Sequence, residues 1–315
     1  MQSAFAWAYL LLCWNLMARS DNIQMLLFEH IWWENDGMSV QFIKTKTDSN
    51  GSKTDPKKVY ANPHKPHICP VLALGVYVFT TGARENCSKA NVWGNSGASS
   101  RFSKWLKVLL VAGAEMLSAM CIIIDDIGTH SFRKGIATYL SGMVGGPSPV
   151  NIYLRAGWSL GNQKRYILAG GGGDELCGRA ATGLNINLEE FACLPPHFNL
   201  DDGPILSAEE WEGVFPNYRS VPATFKQVLP FLLASVLYHR EWLNENLPAS
   251  HPLRSSRVWT HPKAQEIQVK VHAGHWHNKT TGLSATGIQR TCMTCSTIDR
   301  LNLIIQTHQV CHPKS

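Results

Sequence analysis

Residues 128–142, GTHSFRKGIATYLSG, set an imidazole at His130 and a guanidinium at Arg133 three positions apart, in what reads as the first turn of a helix. Side chains at i and i+3 share a helix face, so both can reach one ligand. An oxyanion such as phosphate suits the pair, because a guanidinium donates two parallel hydrogen bonds and an imidazole one. By itself HxxR is more often a capping histidine beside a solvated arginine. A second stretch adds to it: RAGWSLGNQKRYIL, residues 155–168, brings a tryptophan, a glycine-containing turn and a tyrosine preceded by basic residues.

Together the two stretches resemble the tyrosine recombinase (phage integrase) family, most closely the recombinases of eukaryotic Crypton-type mobile elements. HSFRKG, a downstream RAGW and an RY occur there in the same order, and the likeness spans about residues 5–185. The resemblance implies a transposable-element enzyme of the nucleus. It would recombine and integrate double-stranded DNA site-specifically through a 3′-phosphotyrosyl intermediate, self-associating on the DNA and using no cofactor. It also implies an active site of two arginines, a lysine, two His or Trp positions and a nucleophilic tyrosine. Carried onto this sequence, the first arginine is Arg19 in NLMARSDNI, with no other arginine before Arg84. The lysine is Lys46 in IKTKTDSNG, with Lys44 as the neighbour that strand alternation turns to the opposite face. His130 and Arg133 fill the HxxR slot, Trp158 the next, and Tyr166 is the nucleophile.

The chemistry agrees with those roles. Attack on a phosphodiester builds negative charge on the nonbridging oxygens, which two guanidinium groups and an indole N–H stabilise. A tyrosine hydroxyl must lose its proton on attack, and His130 would orient it or accept that proton. Lys46 would protonate the leaving 5′ oxygen, and the phosphotyrosyl ester conserves the bond energy for rejoining.

The sequence departs from the family's pattern in two ways. Trp158 and Tyr166 are eight positions apart, one fewer than is usual in the family. One helical residue is about 100° of rotation, enough to swing a nucleophile away unless the turn SLGNQ absorbs the difference. Arg19 also follows Met1 too closely for the family's N-terminal core-binding domain. The expectation is therefore an N-terminally truncated or decayed copy, with catalysis in doubt and a catalytically inactive DNA-binding protein as the alternative.

The elements that must position these residues follow from the punctuation. A first apolar helix at about 3–18 has no Lys or Arg before it and is too short to span a bilayer, so a buried helix is expected and neither a signal peptide nor a membrane anchor. IWWENDGMSVQFIKTKT reads as a β-hairpin about Asn-Asp-Gly, KKVYA as a third strand, and the polar DSNGSKTDP between them as an exposed, mobile loop. Helices follow from Pro70 and at about 100–118, 129–142, 148–156 and 162–168. AGGGGDELCG is expected to break regular structure. The fold class is mainly α with a small three-stranded antiparallel sheet (α+β), and the resemblance implies the DNA breaking-rejoining catalytic fold.

A boundary near 185 separates this catalytic region, residues 1–185, from a mainly helical segment of unknown role, residues 186–315. The net charge of +6 lies wholly in the first region: 18 Lys and Arg stand against 12 Asp and Glu there, and 11 against 11 beyond. A positive surface suits a polyanion. Nine cysteines, an odd number without regular spacing, point to a reducing compartment and free thiols. Cys292, Cys295, His308 and His312 match zinc-finger spacing, but Asp299 stands where such fingers place a core aromatic and Cys311 is a rival ligand, so chance spacing is the better reading and no metal is expected. HAGHWH, residues 272–277, reads as a surface loop.

Overall fold

The first helix is apolar all round, and such a helix must be buried on every side. Phe5, Tyr9, Leu12 and Cys13 on α1 (Gln2–Asn15) are all within the core. The computed structural model describes residues 2–42, 55–82, 90–94, 97–158, 171–199 and 203–288. The chain turns at Met17, whose φ is 48°, into α2 (Ser20–Gln24) and a three-stranded antiparallel sheet, β1 (Ile31–Glu34), β2 (Gly37–Val40) and β3 (Lys57–Val59), in that order. Glu34 pairs with Gly37, so Asn35 and Asp36 make a two-residue hairpin turn in which Asn35 takes a φ of 54°.

The helices α3 (Pro70–Thr81), α4 (Ala98–Ala112), α5 (Ala114–Ala119), α6 (Thr129–Ser141) and α7 (Pro149–Ala156) follow. Gly113 divides the helix expected at 100–118 into α4 and α5. The expected helix at 162–168, and most of the DSNGSKTDP loop, lie outside the described residues. The mainly helical α+β class is as the pattern implied. Among the described residues Cys13, Cys69, Cys121, Cys177 and Cys193 are free thiols, and no helix is long and apolar enough to cross a membrane.

One expectation fails. The glycine-rich run does not break regular structure: Gly171–Ala181 is a helix, α8. Its glycines serve close approach. A Cβ on Gly178 would lie 2.5 Å from the Lys58 carbonyl oxygen and 3.0 Å from the Tyr60 ring, and one on Gly173 would lie 2.5 Å from Asn151 Oδ1. The helix therefore rests directly on β3 and α7, and the packing outweighs the roughly 1 kcal/mol each glycine costs a helix.

Beyond 185 the chain forms β4 (His197–Phe198), α9 (Ala208–Val214), α10 (Ala223–Lys226), α11 (Leu229–Tyr238), α12 (Arg240–Asn246), α13 (Arg257–Thr260), α14 (Pro262–Ile267) and β5 (Val271–His272), with β4 paired to β5. Ser207 and Glu210 cap α9 reciprocally. Apolar α11 lies on α3, where Gly75 meets the Leu232 carbonyl and Val236, and one hydrophobic core runs from α1 to α14. A fully buried ion pair within the first region also gathers backbone of the second. Arg179 on α8 donates to Asp36 in the β1–β2 turn and to the carbonyls of Phe191, Cys193 and Thr286, while Asp36 accepts from the Thr286 amide and hydroxyl. Removing one partner strands the other charge without solvent. Asp36→Ala is expected to cost about 3–5 kcal/mol of unfolding free energy, read by denaturant titration. The double variant Asp36→Ala/Arg179→Met should lose much less than the sum of the two single changes.

Candidate functional site

The predicted residues lie on three elements that meet at the C-terminal end of α1. Arg19 is half-buried at the residue preceding α2, where the chain leaves α1, and its guanidinium has no hydrogen-bond or ion-pair partner among the described residues. Arg133 is buried at the fifth position of α6. It donates through Nη2 to the carbonyl of Ala156, the last residue of α7, and leaves Nε buried without a partner. Its guanidinium lies over the Trp158 ring, 5.5 Å from the centroid, and Trp158 packs edge-to-face on Tyr153. Burial, and then the positive charge of Arg19, lower the Arg133 pKa, so the two guanidinium groups are electrostatic neighbours. The helix ends at Gly157 with a φ of 68°, and that left-handed turn folds Trp158 back against α7.

His130 is solvent-exposed in the first turn of α6, one turn before the buried Arg133. The shared helix is confirmed, but the two side chains differ in burial. Lys46, its neighbour Lys44, and Tyr166 lie outside the described residues, as do Cys292, Cys295, His308 and His312. The HAGHWH loop holds β5 at its start, and among the described residues no group of three His, Cys, Asp or Glu is placed to hold a metal.

Two residues that sequence reasoning passed over belong to the cluster. Lys57 opens β3. It is half-buried with Nζ turned inward, donating to the Leu16 carbonyl at 3.0 Å and lying over the Phe42 ring. Burial first, then the charges of Arg155 and Arg133, push its pKa down to about 7, against the pull of Asp174. Arg155, of the RAGW stretch, is buried and spans four elements. It donates to the carbonyls of Asn15 at 2.7 Å, Lys58 at 2.7 Å and Asp174 at 3.1 Å, and pairs with the Asp174 carboxylate. The Asp174 carboxylate also accepts the Lys58 amide at 2.7 Å. A signal was available for Arg155, since it stands beside buried Ala156 and one turn after buried Ile152 on α7. For Lys57 there was none, because strand register alone turns it inward.

The arrangement leaves uncompensated positive charge. Asp174 is committed to Arg155, whereas Arg19, Arg133 and Lys57 have no carboxylate within ion-pair distance among the described residues. Such a cluster suits an oxyanion. A separate cleft of about 670 Å³, lined by Glu175, Leu176, Trp276, His277 and Thr286 among others, contains none of these cations, and burial raises the Glu175 pKa; it does not suit a phosphate. No family model, curated protein or solved structure matches the chain.

Lys57 gives the cluster a pH dependence of known sign. Its folded pKa lies below the ordinary 10.5, so the folded chain holds fewer protons than the unfolded one between about 7 and 10.5, and its contribution to stability rises with pH across that window. An anion favours the ammonium form and raises the pKa again. Binding of sulfate or a short duplex should therefore take up a proton near neutral pH and weaken as pH rises through about 7. Calorimetry in two buffers of different ionisation enthalpy measures the uptake, and Lys57→Met should abolish it.

Proposed function

We propose that residues 1–185 bind double-stranded DNA and derive from a tyrosine recombinase that breaks and rejoins strands through a 3′-phosphotyrosyl intermediate. One observation carries this reading: Lys57 is bonded to the Leu16 carbonyl, three residues before Arg19, and Arg133 to the carbonyl of Ala156, whose neighbour Arg155 is bonded to that of Asn15, so cations remote along the chain gather at the end of α1 where the HxxR and RAGW stretches come together, with no carboxylate within ion-pair distance of Arg19, Arg133 or Lys57 among the described residues. In the proposed complex Arg19 and Arg133 hold the nonbridging oxygens of one backbone phosphate. The unsatisfied Arg133 Nε is a donor already desolvated for the purpose. Trp158 supports the Arg133 guanidinium from one side. His130, at the exposed rim, orients the Tyr166 hydroxyl or takes its proton. Lys57, with a pKa near the working pH, protonates the leaving 5′ oxygen beside or in place of Lys46. Tyr166 attacks phosphorus, the P–O5′ bond breaks, and the 3′ phosphate stays on the tyrosine until the 5′ hydroxyl returns. Charge balances without metal or nucleotide, since one tyrosyl proton leaves and one proton reaches the 5′ oxygen.

The eight-residue interval from Trp158 to Tyr166 favours a second reading, in which the phosphate grip persists and the nucleophile is out of register. Both readings predict binding to duplex DNA that falls steeply with salt, because phosphate contacts release counterions. Arg133→Ala should lower the slope of log K against log salt by about 1. A nicked suicide substrate separates the readings. A covalent protein–DNA adduct that disappears in Tyr166→Phe marks an active strand transferase, and salt-dependent binding with no adduct marks the inactive form. Absence of binding to duplex DNA at low salt would defeat both.

A further inference from the structure

The unit formed by α4 and α5 presents a surface that the described residues of one chain leave uncovered. Helix α5 has no buried residue although its sequence is AEMLSA and MCIII follows it. A six-residue helix is too short to persist on propensity alone, so burial of one face must come from somewhere. Val108, Leu109, Val111, Met116, Met120 and Ile123 are all more than half exposed, reaching 70% at Val108 and Val111. Leu109, Gly113, Met116 and Met120 recur at helical spacing, and where the two helices join at Gly113 they frame an apolar groove of about 370 Å³ with Leu110 and Leu117. Scattered apolar residues are ordinary on a surface, but a contiguous stripe with a groove marks an interface.

The charges at the two ends of the stripe indicate what covers it. Exposed Lys104 and Lys107 stand at the α4 end, and exposed Asp125 and Asp126 stand at the other, past Ile123. None of the four is in an ion pair among the described residues. Arg101 is already held by the Trp93 carbonyl and the Phe5 ring. A surface basic at one end and acidic at the other is complementary to itself when turned end for end, which is the requirement of a two-fold contact.

We propose that this face joins two copies of the chain about a two-fold axis, with their α4–α5 units antiparallel. The apolar stripes close over one another, each groove receives apolar side chains of the other copy, and Lys104 and Lys107 of each chain face Asp125 and Asp126 of its mate. The contact forms without DNA and is independent of whether the cation cluster grips a phosphate.

Sedimentation equilibrium of the full chain, free of nucleic acid, tests it. A concentration-dependent dimer is expected, and Val111→Lys/Met116→Lys should raise its dissociation constant by about a hundredfold. The melting curve of that variant's monomer should match the wild type's, since both side chains are solvent-facing. Lys104→Glu/Lys107→Glu and Asp125→Lys/Asp126→Lys should each weaken the dimer about tenfold or more. An equimolar mixture of those two variants should form a heterodimer, because one is acidic and the other basic at both ends. Three results would overturn the proposal. The chain could remain monomeric at every concentration, as it would if its own residues 289–315 covered the stripe. The dimer could be indifferent to the lysine pair. The two charge variants could fail to combine when mixed.

Discussion

The structure depends on one buried guanidinium. Arg155 occupies the point where the carboxyl end of α1, the strand β3 and the start of α8 converge on α7, and it satisfies a carbonyl from each. The Asn15 and Lys58 carbonyls, at the end of α1 and on the α8 side of β3, would otherwise be orphaned, and each unsatisfied buried polar group costs on the order of 1–3 kcal/mol. Asp174 neutralises the charge and accepts a hydrogen bond from the Lys58 amide, so the cross-link holds the middle of β3 against α7 and α8. Everything in the cation cluster takes its position from this junction. Lys57 is the residue before Lys58. Ala156, whose carbonyl receives Arg133, is the residue after Arg155, and Trp158 follows two positions later.

A second guanidinium repeats the device further along α8. Arg179, two turns along α8 from Gly172, gathers the carbonyls of Phe191, Cys193 and Thr286 around its pair with Asp36 and lies over the Tyr60 ring. Helix α8 thus carries two arginine-centred junctions, one made by its own side chain and one received from α7. Its glycines let it sit close enough to β3 and α7 for both. Arginine suits this use because its fixed fork of five donors can serve several carbonyls at once, where a lysine would present a single rotating point charge. The same property distinguishes Arg133. It is buried, though less completely than the structural arginines, and has one carbonyl partner and no acid within ion-pair distance among the described residues, and so retains donor capacity and charge.

Burial is distributed unevenly over the chain. The helices α1, α3 and α11 are apolar on every face and nest in the centre, whereas α4 turns Phe102, Leu106 and Leu110 inward and leaves Val108 and Val111 in solvent. The aromatic cluster of Phe5, Tyr9, Tyr77, Trp93 and Phe102 anchors the inner face of α4 to α1 with tilted and edge-on contacts. Past Gly113 no comparable anchor reaches α5, and only Leu117, Ile124 and Ile127 touch the core before α6 begins. The apolar content of 108–123 therefore reads as core when composition alone is considered and as surface when the fold is known.

The sequence by itself determined the local elements whose causes are local. The Asn-Asp-Gly hairpin, the proline-started α3, the helix holding His130 and Arg133 and the α7 helix all stand where turn chemistry and periodicity place them, because each depends on residues a few positions apart. It also nominated Arg19, Arg133 and Trp158, which the fold brings together. Tertiary structure alone decided the rest. Whether AGGGGDELCG becomes a loop or a helix turns on Gly178 meeting a carbonyl 120 residues away in the chain, and no local propensity encodes that encounter. Lys57 entered the cluster through strand register, and Arg155 became a junction instead of a surface charge through the simultaneous arrival of α1, β3 and α8. Long-range desolvation sets which cations are spent on the backbone and which stay free, and desolvation is a property of the assembled fold.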